Sequence, residues 1–529
     1  MSAGLLPESR PHAISAGVIW SARSSCRAVS LIAAASLFNL VYVALLCPHD
    51  LSPDEAHYWD WSRHPDWCYY SKGPLVAWLI RGSCELFGTT AFAVRLPAVA
   101  CGGLLLLGLW RLALNAFHSQ QLGCQVVLFA LTLPPVSAAS VLMTIDPPFL
   151  ACWAWAAAAV QKKRWIAAGA LVAIGTLAKY TMLLFPMCIG LLMFARPEWR
   201  TRRFIPFLML SSLGLLPLAV WNATHDWIGV RHLLGHADNG GRAVPWYSPL
   251  AFVGGQVGLL LGVWFAAWAW AAWKWRPLNP TPQPPPRSGK GEQIALLWWL
   301  SVPVFGVFLL ASVRTSGQPN WPAAAWVSGF VLAAGWWLGR KPTHGRAWAL
   351  TLLLGLALCV FLRWPVLARP ALAAVLPAPS EFNPTPVRKL DPTARLSGWK
   401  ALASAVDRVR LEQKQRTGED PLIATMAWTA CGELGFYCDG HPAVYTFGSA
   451  VGDRASQYDL WRPNPVADAQ AFAGRTFVYV GDELPAGVFD SLERVEQVTH
   501  SENGVPLATW TVWVGRGYRG FDRPSPSRY

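Results

Sequence analysis

Charged side chains are scarce in this sequence of 529 residues, where they make up 14% against about 25% in an ordinary soluble domain. Acidic residues are the scarcer kind, because 30 Asp and Glu stand against 44 Lys and Arg. Hydrophobic residues make up 53%, which excludes a disordered chain and weighs against a soluble enzyme. The low charge density also argues against nucleic-acid binding, although the net charge is +14. A polytopic membrane protein fits this composition best.

The two parts of the chain differ in charge. Residues 1–379 contain 28 Lys or Arg and 12 Asp or Glu, which gives a net charge of +16. Residues 380–529 contain 16 and 18, which gives a net charge of −2. The positive charge therefore belongs to the apolar part, and the second part has the composition of a soluble domain that is large enough for its own core.

The apolar segments predict an α-helical polytopic membrane protein with about eleven transmembrane helices, because a spanning helix needs about 20 mostly apolar residues. Few ionisable residues interrupt these segments, which weighs against an ion channel or a proton-coupled transporter. The segments lie near residues 28–47, 91–114, 124–143, 147–161, 165–179, 181–195, 204–222, 249–273, 294–312, 321–338 and 347–367.

Basic residues in alternate loops predict the orientation. These loops hold 18 Lys or Arg and only three acidic residues, Glu8, Glu198 and Glu292. The positive-inside rule places such loops in the cytoplasm, and an odd number of spans then exports the C-terminal part. The predicted organisation is a cytoplasmic N-terminal segment 1–27, a transmembrane domain 28–379 with an outer loop 47–90, and an exported domain 380–529.

The exported part is predicted to be a small α/β domain. Apolar residues at helical spacing mark residues 396–416 as a helix. Neither a nucleotide-binding loop nor a catalytic triad is found in this part. Glu433, Asp439 and His441 are interpreted as surface residues, with acceptor recognition as the alternative. Strand-like runs follow the helix at 421–427, 442–447, 475–480 and 505–514.

The eleven cysteines lack the spacing of a zinc site. Five of them lie inside predicted spans, where they act as small apolar residues: Cys101, Cys124, Cys152, Cys188 and Cys359. Two pairs lie outside the spans and could form disulfides, which sequence spacing leaves open because it does not fix geometry. These pairs are Cys47 with Cys68 and Cys431 with Cys438.

The long outer loop contains a helix start with two acidic residues. Ser52 suits the N-cap, Pro53 the first helical position and Glu55 the third, as in a capping box. Glu55 is therefore a candidate catalytic residue with capping as an equally strong alternative. Asp54 is not needed by the cap, and the helix N-terminus favours its ionised form. An ionised carboxylate at a membrane surface is a candidate general base.

A second outer turn carries Asp146 between two apolar segments, in the sequence Met143–Pro148. A carboxylate at membrane depth costs about 3 kcal/mol unless it has a partner or a function. The alternative role for Asp146 is a helix N-cap.

Cations on the outer side run against the positive-inside rule, and a phosphate is their natural partner. The alternative for each is a lipid-headgroup anchor. The candidates for carrier-phosphate binding are Lys72, Arg231, His232 and Arg242.

Four short motifs occur in a fixed order, and together they resemble those of the family-39-like and aminoarabinose-transferase-like glycosyltransferases. These are polytopic C-type enzymes related to protein O-mannosyltransferases. The resemblance covers roughly residues 28–370 and is strongest over the first 150. The motifs are Ser52–Tyr58, Tyr70–Pro74, Phe92–Pro97 and Met143–Pro148.

The resemblance implies that a sugar moves from a polyprenyl-phosphate carrier to an acceptor on the non-cytoplasmic face. It implies Asp54 as the catalytic base, and Asp146 as a residue that positions the acceptor or helps to bind a divalent metal ion. Lys72 would hold the carrier phosphate, with help from Arg231 or Arg242, and His232 matches a histidine of the aminoarabinose transferases. The chain departs from many relatives in having Gly73, where they have proline.

We therefore predict an inverting hexosyl- or pentosyltransferase of the bacterial inner membrane, with the exported domain in the periplasm. Its partners are a polyprenyl-phosphate-sugar donor, membrane lipids and an envelope acceptor, which is lipid A, a glycan or a protein. No cofactor other than the divalent ion is implied, no metal ligands are assigned, and no nucleic acid is expected. The alternative is a transporter or flippase of lipid-linked sugars, which would need polar residues along a path through several spans.

Overall fold

The computed structural model describes residues 13–237, 244–277, 290–339, 345–380 and 382–522. Within these residues the chain folds into a helical bundle, followed by a smaller domain that contains a sheet. The bundle helices are α1 Ala13–Val41, α2 Pro53–Arg63, α3 Leu75–Phe87, α4 Ala91–Phe117, α5 Gln120–Leu131, α6 Pro134–Ala139, α7 Asp146–Gln161, α8 Trp165–Ala178, α9 Leu184–Ala195, α10 Phe204–Ser212, α11 Leu216–Thr224, α12 Ile228–Ala237, α13 Ser248–Leu259, α14 Val263–Lys274, α15 Lys290–Trp299, α16 Val302–Ala311, α17 Ala323–Trp337, α18 Gly345–Arg363 and α19 Arg369–Val375.

Several helical segments are long and apolar enough to cross a membrane, as expected for a multi-pass membrane protein. Five such segments are found in the described part of the chain, and a bent helix pair brings the number to six. Further apolar helices are shorter than a full span, so the expected eleven spans are not confirmed and that number stays a prediction. The five segments are Arg27–Leu46, Ala91–Phe117, Phe204–Thr224, Gly291–Ala311 and Gly345–Arg363.

The segment expected to be one straight span at 249–273 is broken. Helices α13 and α14 meet there at an angle of 110°. Leu261 and Gly262 at the break have φ of 57° and 66°, a left-handed conformation that an α-helix cannot continue through. The hydrophobic pattern missed this break because apolar residues continue on both sides of it.

Small residues allow helices α4 and α7 to pack closely. A Cβ atom on Gly108 of α4 would lie 2.6 Å from the Cβ of Ala154 in α7, so only glycine fits at this position. Close approach at small residues is a common way for helices to associate in membranes. The contact places the starts of α4 and α7, which carry Arg95 and Asp146, at the same end of the bundle.

The C-terminal domain contains a five-stranded sheet with the order β2-β1-β3-β5-β4. Strands β1, β2 and β3 are parallel to one another, whereas β5 pairs antiparallel with β3 and β4. The expected helix and four expected strands are confirmed, and β4 is an additional strand. The elements are α20 Trp399–Thr417, β1 Leu422–Thr425, α21 Trp428–Tyr437, β2 Val444–Thr446, α22 Gln457–Leu460, β3 Phe477–Val480, β4 Phe489–Glu502 and β5 Val505–Tyr518.

The two faces of this sheet are both covered. Val478 and Val480 of β3 pack with residues of α20 and α21 on one face. Phe477 and Tyr479 pack with a group of aromatic side chains on the other face. Alternate residues of a strand point to opposite faces, so β3 is buried along its whole length.

The four cysteines considered for disulfides are free thiols. Cys431 and Cys438 are seven residues apart along α21 and its C-cap, a separation of about 10 Å along a helix axis, beyond the reach of a disulfide. Cys47 accepts a hydrogen bond from Arg95, whereas Cys68 lies 3.5 Å from the hydroxyl of Tyr180. The Pro-rich segment expected to be a linker, 277–291, lies mostly outside the described residues.

The C-terminal domain packs directly on helix α2. A Cβ atom on Gly432 of α21 would lie 2.6 Å from backbone atoms of Ala56 and His57, so the two helices touch there at backbone distance. At a second contact, the Asp50 carboxylate accepts from the backbone N–H of Trp399 at 2.9 Å. This carboxylate lies at the N-terminus of α20, where the helix dipole favours a negative charge.

Replacing Gly432 with alanine should destabilise this contact by about 1–3 kcal/mol, because backbone atoms of α2 cannot yield to the new methyl group. The matched control is Gly435→Ala on the same helix, where the nearest atom to an added Cβ is 3.5 Å away. The measurement is the thermal unfolding midpoint of the purified protein in detergent, followed by tryptophan fluorescence. Equal midpoints for the two variants would show that α21 does not press on α2.

Candidate active site

Helix α2 begins with the capping box that the sequence predicts. The Ser52 hydroxyl accepts from the backbone N–H of Glu55 at 3.2 Å, and Glu55 Oε2 accepts from the N–H of Ser52 at 2.9 Å. Pro53 occupies the first helical position, where its missing N–H has no cost. The start of this helix, and with it the position of Asp54, is therefore fixed locally.

Glu55 also forms a buried ion pair with Arg95 of α4. Glu55 Oε1 accepts from Arg95 Nε at 3.0 Å and from the backbone N–H of Met143 at 2.9 Å. Glu55 Oε2 accepts from Arg95 Nη2 at 3.0 Å in addition to Ser52. Both side chains are at most 2% exposed. Glu55 would have to leave these bonds to take part in catalysis, so the geometry favours the capping alternative for this residue.

Asp54 faces the other way, because adjacent helical residues do not share a face. Its side chain is exposed to solvent, yet protein groups surround it closely enough that burial raises the pKa of its carboxyl group above the usual value. The charges of Lys72 and Arg454 act against this shift but do not cancel it. Asp54 therefore lies in an open recess rather than on a flat surface.

Asp146 at the start of α7 is held by two partners. Lys179 Nζ lies 2.7 Å from Asp146 Oδ1, and Asn320 Nδ2 donates to Asp146 Oδ2 at 2.7 Å. Lys179 also donates to the backbone carbonyl of Asn320 at 3.3 Å. Lys179 is only 8% exposed. Its ammonium group is the charged partner that the Asp146 carboxylate requires away from bulk water.

Lys72 lies on the loop between α2 and α3, next to the segment that carries Lys179. A Cβ atom on Gly73 would lie 2.2 Å from the backbone carbonyl oxygen of Leu177, so glycine is required for this close approach. Burial and the neighbouring Lys179 charge lower the pKa of Lys72 to about 8. Glycine at this position thus lets the loop that carries Lys72 approach the segment that carries Lys179.

These charged and polar side chains form one group at the end of the bundle where α2 and α7 begin, which we call the Asp54 cluster. Asp54 and Asp146 act electrostatically on each other and on Lys72. The members of the Asp54 cluster are Asp54, Lys72, Asp146, Lys179 and Asn320.

The remaining predicted phosphate ligands are placed less directly. The His232 ring is buried and lies 4.7 Å from the ring of Tyr70, two residues before Lys72. Arg231 is exposed and donates to the backbone carbonyl of Asp226. Arg242 lies outside the described residues. The roles of these residues stay predictions.

Four residues at or near this site were not predicted from the sequence: Lys179, Arg95, Asn320 and Arg454. Arg95 lies in the motif Phe92–Pro97, and a buried arginine implies a buried acid as its partner. Asn320 lies in a loop without a distinct motif. No local pattern marks Arg454 of the C-terminal domain.

Glu433 of α21, expected at the surface, is instead fully buried. Neither of its carboxyl oxygens has a hydrogen-bond partner among the described residues. Burial raises the pKa of its carboxyl group well above the usual value. The expectation failed because α21 packs against α2 rather than facing solvent.

The fold can be compared with solved structures. ArnT from Cupriavidus metallidurans in the apo state has a TM-score of 0.58 at 18% identity, over 94% of this chain and 98% of that chain. ArnT bound to undecaprenyl phosphate has a TM-score of 0.58 at 17% identity, over 92% and 97% of the two chains. This likeness shows the fold, which is the C-type glycosyltransferase fold.

More specific relatives are found by sequence. Residues 71–222 match the family described as Dolichyl-phosphate-mannose-protein mannosyltransferase. The lipid A galacturonosyltransferase RgtD of Rhizobium johnstonii is 28% identical over 315 residues. That match covers 57% of this chain and 64% of the relative, so the chain matches less than two thirds of the relative's length.

Replacing Glu55 with glutamine should lower the free energy of unfolding by about 3–5 kcal/mol, because it leaves the buried Arg95 charge without a counterion. The matched control is Glu85→Gln, which removes a surface pair with Arg81 whose side chains are 61% and 42% exposed. Such pairs contribute about 0–1 kcal/mol. Thermal unfolding of both variants in detergent checks this, and a small, equal loss would rule out the structural role of Glu55.

Proposed function

We propose that the protein is an inverting glycosyltransferase that uses a polyprenyl-phosphate-linked sugar as donor and a cell-envelope molecule as acceptor. The observation that carries this proposal is the Asp54 cluster, in which one solvent-accessible carboxylate stands beside two buried or half-buried lysines. The position of this cluster within a C-type glycosyltransferase fold supports the same reading.

In the proposed reaction Asp54 accepts the proton of an acceptor hydroxyl. The hydroxyl oxygen attacks the anomeric carbon of the sugar and forms the new glycosidic bond with inversion. The bond between that carbon and the phosphodiester oxygen breaks, and its electron pair leaves with the carrier phosphate. The raised pKa of Asp54 makes it a stronger base than an ordinary aspartate, provided that it is ionised.

The leaving group is a phosphate monoester, which needs cationic stabilisation rather than a strong general acid. Lys72 is the candidate for this role, and Lys179 adds a second positive charge beside it. Asp146 and Asn320 hold Lys179 in place and can orient the acceptor. Glu55 and Arg95 are positioning residues in this proposal, because their ion pair holds the helix that carries Asp54.

A largely apolar cavity of about 240 Å³ lies beside the cluster and suits the hydrocarbon chain of the carrier. It adjoins Asn320 through Pro319, whose carbonyl accepts from Gln256 Nε2 at 2.9 Å. The cavity is lined by Ser248, Ala251, Phe252, Gly255, Gln256, Ser316, Gly317 and Pro319.

The named relatives support the choice of substrates. The solved ArnT structure contains undecaprenyl phosphate, which supports a polyprenyl-phosphate donor. The RgtD relative acts on lipid A and transfers galacturonic acid, which supports an envelope lipid as acceptor. We propose further that the protein lies in the bacterial inner membrane, with its N-terminus in the cytoplasm and the 380–529 domain in the periplasm.

A divalent metal ion fits the Asp54 cluster poorly. Both carboxylate oxygens of Asp146 are engaged, one by the Lys179 ammonium and one by Asn320. Among the described residues, no group of three or more His, Cys, Asp or Glu side chains could hold a metal ion. No step of the proposed reaction is therefore assigned to a metal.

The Asp54→Asn variant should lose sugar transfer by about 10²- to 10⁴-fold, because the amide cannot accept the acceptor proton. Asp60→Asn on the same helix is the matched control. Its carboxyl group pairs with Arg63 and is not a member of the Asp54 cluster, so transfer should be kept when it is replaced by an amide. Transfer of radiolabelled sugar from the lipid-linked donor is measured for both. Near wild-type transfer by Asp54→Asn would refute the base assignment.

The pH dependence of kcat/KM should be bell-shaped. Asp54 must be ionised, so activity rises with pH through its raised pKa. Lys72 must be charged, so activity falls as pH rises through about 8. Lys72→Arg keeps its charge at higher pH and should move the alkaline limb upward, whereas the exposed Lys414→Arg should leave the profile unchanged. An alkaline limb unaffected by Lys72→Arg would assign that limb to another group.

A further inference from the structure

The C-terminal domain reaches the Asp54 cluster through the segment 448–457, which follows strand β2 and ends at the start of α22. Gln457 at the end of this segment is buried, and its Oε1 accepts from the backbone N–H of Tyr70 at 2.7 Å. Tyr70 precedes Lys72 by two residues. The bond therefore fixes the 448–457 segment against the loop that carries the proposed phosphate ligand.

Arg454, near the middle of this segment, lies over the ring of Trp428, which in turn contacts His57 of helix α2. Its guanidinium lies 4.9 Å from the ring centroid of Trp428, and Trp428 lies 4.9 Å from the ring of His57. His57 is one turn after Asp54 on the same helix. Burial lowers the pKa of His57 to about 3, so this ring is neutral and does not repel the guanidinium.

The electrostatics place Arg454 beside the Asp54 cluster as well. Its charge lowers the pKa of Asp54 and that of Lys72, which requires that it lie near both groups. Lys72 and Lys179 belong to the helical bundle, whereas Arg454 approaches from the C-terminal domain. Within the described part of the chain, these three cations surround the two carboxylates of Asp54 and Asp146, an excess of positive charge that suits an anionic group.

We propose that Arg454 binds a phosphate group of the substrate at the Asp54 cluster, so that the C-terminal domain supplies part of the substrate site. A guanidinium presents a planar fork of donors that matches phosphate, and stacking on Trp428 preorganises that fork. The phosphate belongs either to the carrier or to the acceptor. This inference rests on the proposed function, since it assumes that the Asp54 cluster is where the substrates meet.

The test compares Arg454→Gln and Arg454→Lys with the control Arg462→Gln. Arg462 belongs to the same domain, its side chain is 54% exposed, and it pairs with Asp468. Binding of undecaprenyl phosphate to the full-length protein in detergent tests the carrier. KM values for lipid A and for dephosphorylated lipid A test the acceptor. Thermal unfolding of each variant separates loss of binding from loss of folding.

A loss of about tenfold in undecaprenyl phosphate affinity for Arg454→Gln, with partial recovery for Arg454→Lys, supports binding of the carrier phosphate. An unchanged affinity with a KM raised about tenfold for lipid A, but not for dephosphorylated lipid A, supports binding of the acceptor phosphate. The inference is overturned if Arg454→Gln matches Arg462→Gln in both measurements.

The failure of the proposed function has a different signature. In that case the wild-type protein transfers no sugar to any acceptor, or moves labelled lipid-linked sugar across vesicles without forming a glycosidic bond. The binding measurement with undecaprenyl phosphate still decides the role of Arg454 under those conditions. Weaker binding by Arg454→Gln would then support it as a phosphate ligand, and equal binding would overturn it.

Discussion

The buried ion pair between Glu55 and Arg95 is the interaction on which the arrangement of the candidate site depends. Two buried charges are costly to desolvate, and such a pair persists only where further hydrogen bonds satisfy the remaining atoms. Here Glu55 accepts from Ser52 and Met143 as well, while Arg95 donates to the carbonyls of His49 and Asp50. One pair thereby joins the start of α2, the side of α4 and the turn before α7. The turn before α7 leads directly to Asp146, and the start of α2 carries Asp54.

The same region seats the C-terminal domain. Helix α2 lies between the bundle and α21, with Gly432 at backbone distance on one side and the Glu55 pair on the other. The buried Glu433 lies close enough to the pair for the charges of Glu55 and Arg95 to act on the pKa of its carboxyl group. A shift of the C-terminal domain would therefore move helix α2, which carries Asp54.

Short sequence patterns predicted those elements that depend only on neighbouring residues. The capping box at Ser52, the helix α20 and four strands follow from residue types within a few positions of one another, and the structure confirms them. Strand β4 was missed because it lies at the sheet edge with mostly exposed polar residues, which weakens the hydrophobic signal. The partners of Glu55 and Asp146 were missed for another reason. Arg95 and Lys179 are 40 and 33 positions away, and only tertiary packing brings them together.

Asp54 and Glu55 are adjacent carboxylates whose different environments suit them to different roles. Glu55 accepts hydrogen bonds from the Arg95 guanidinium and from two backbone N–H groups, so its carboxylate stabilises the fold. Asp54 meets solvent in a recess, so its charge is available to an incoming hydroxyl. Asp146 is already bound to a lysine, which makes it a poor second acid or base. A retaining glycosidase needs two such carboxylates about 5 Å apart. One available base with cations beside it instead matches a single displacement in which a phosphate leaves, and that chemistry inverts the sugar.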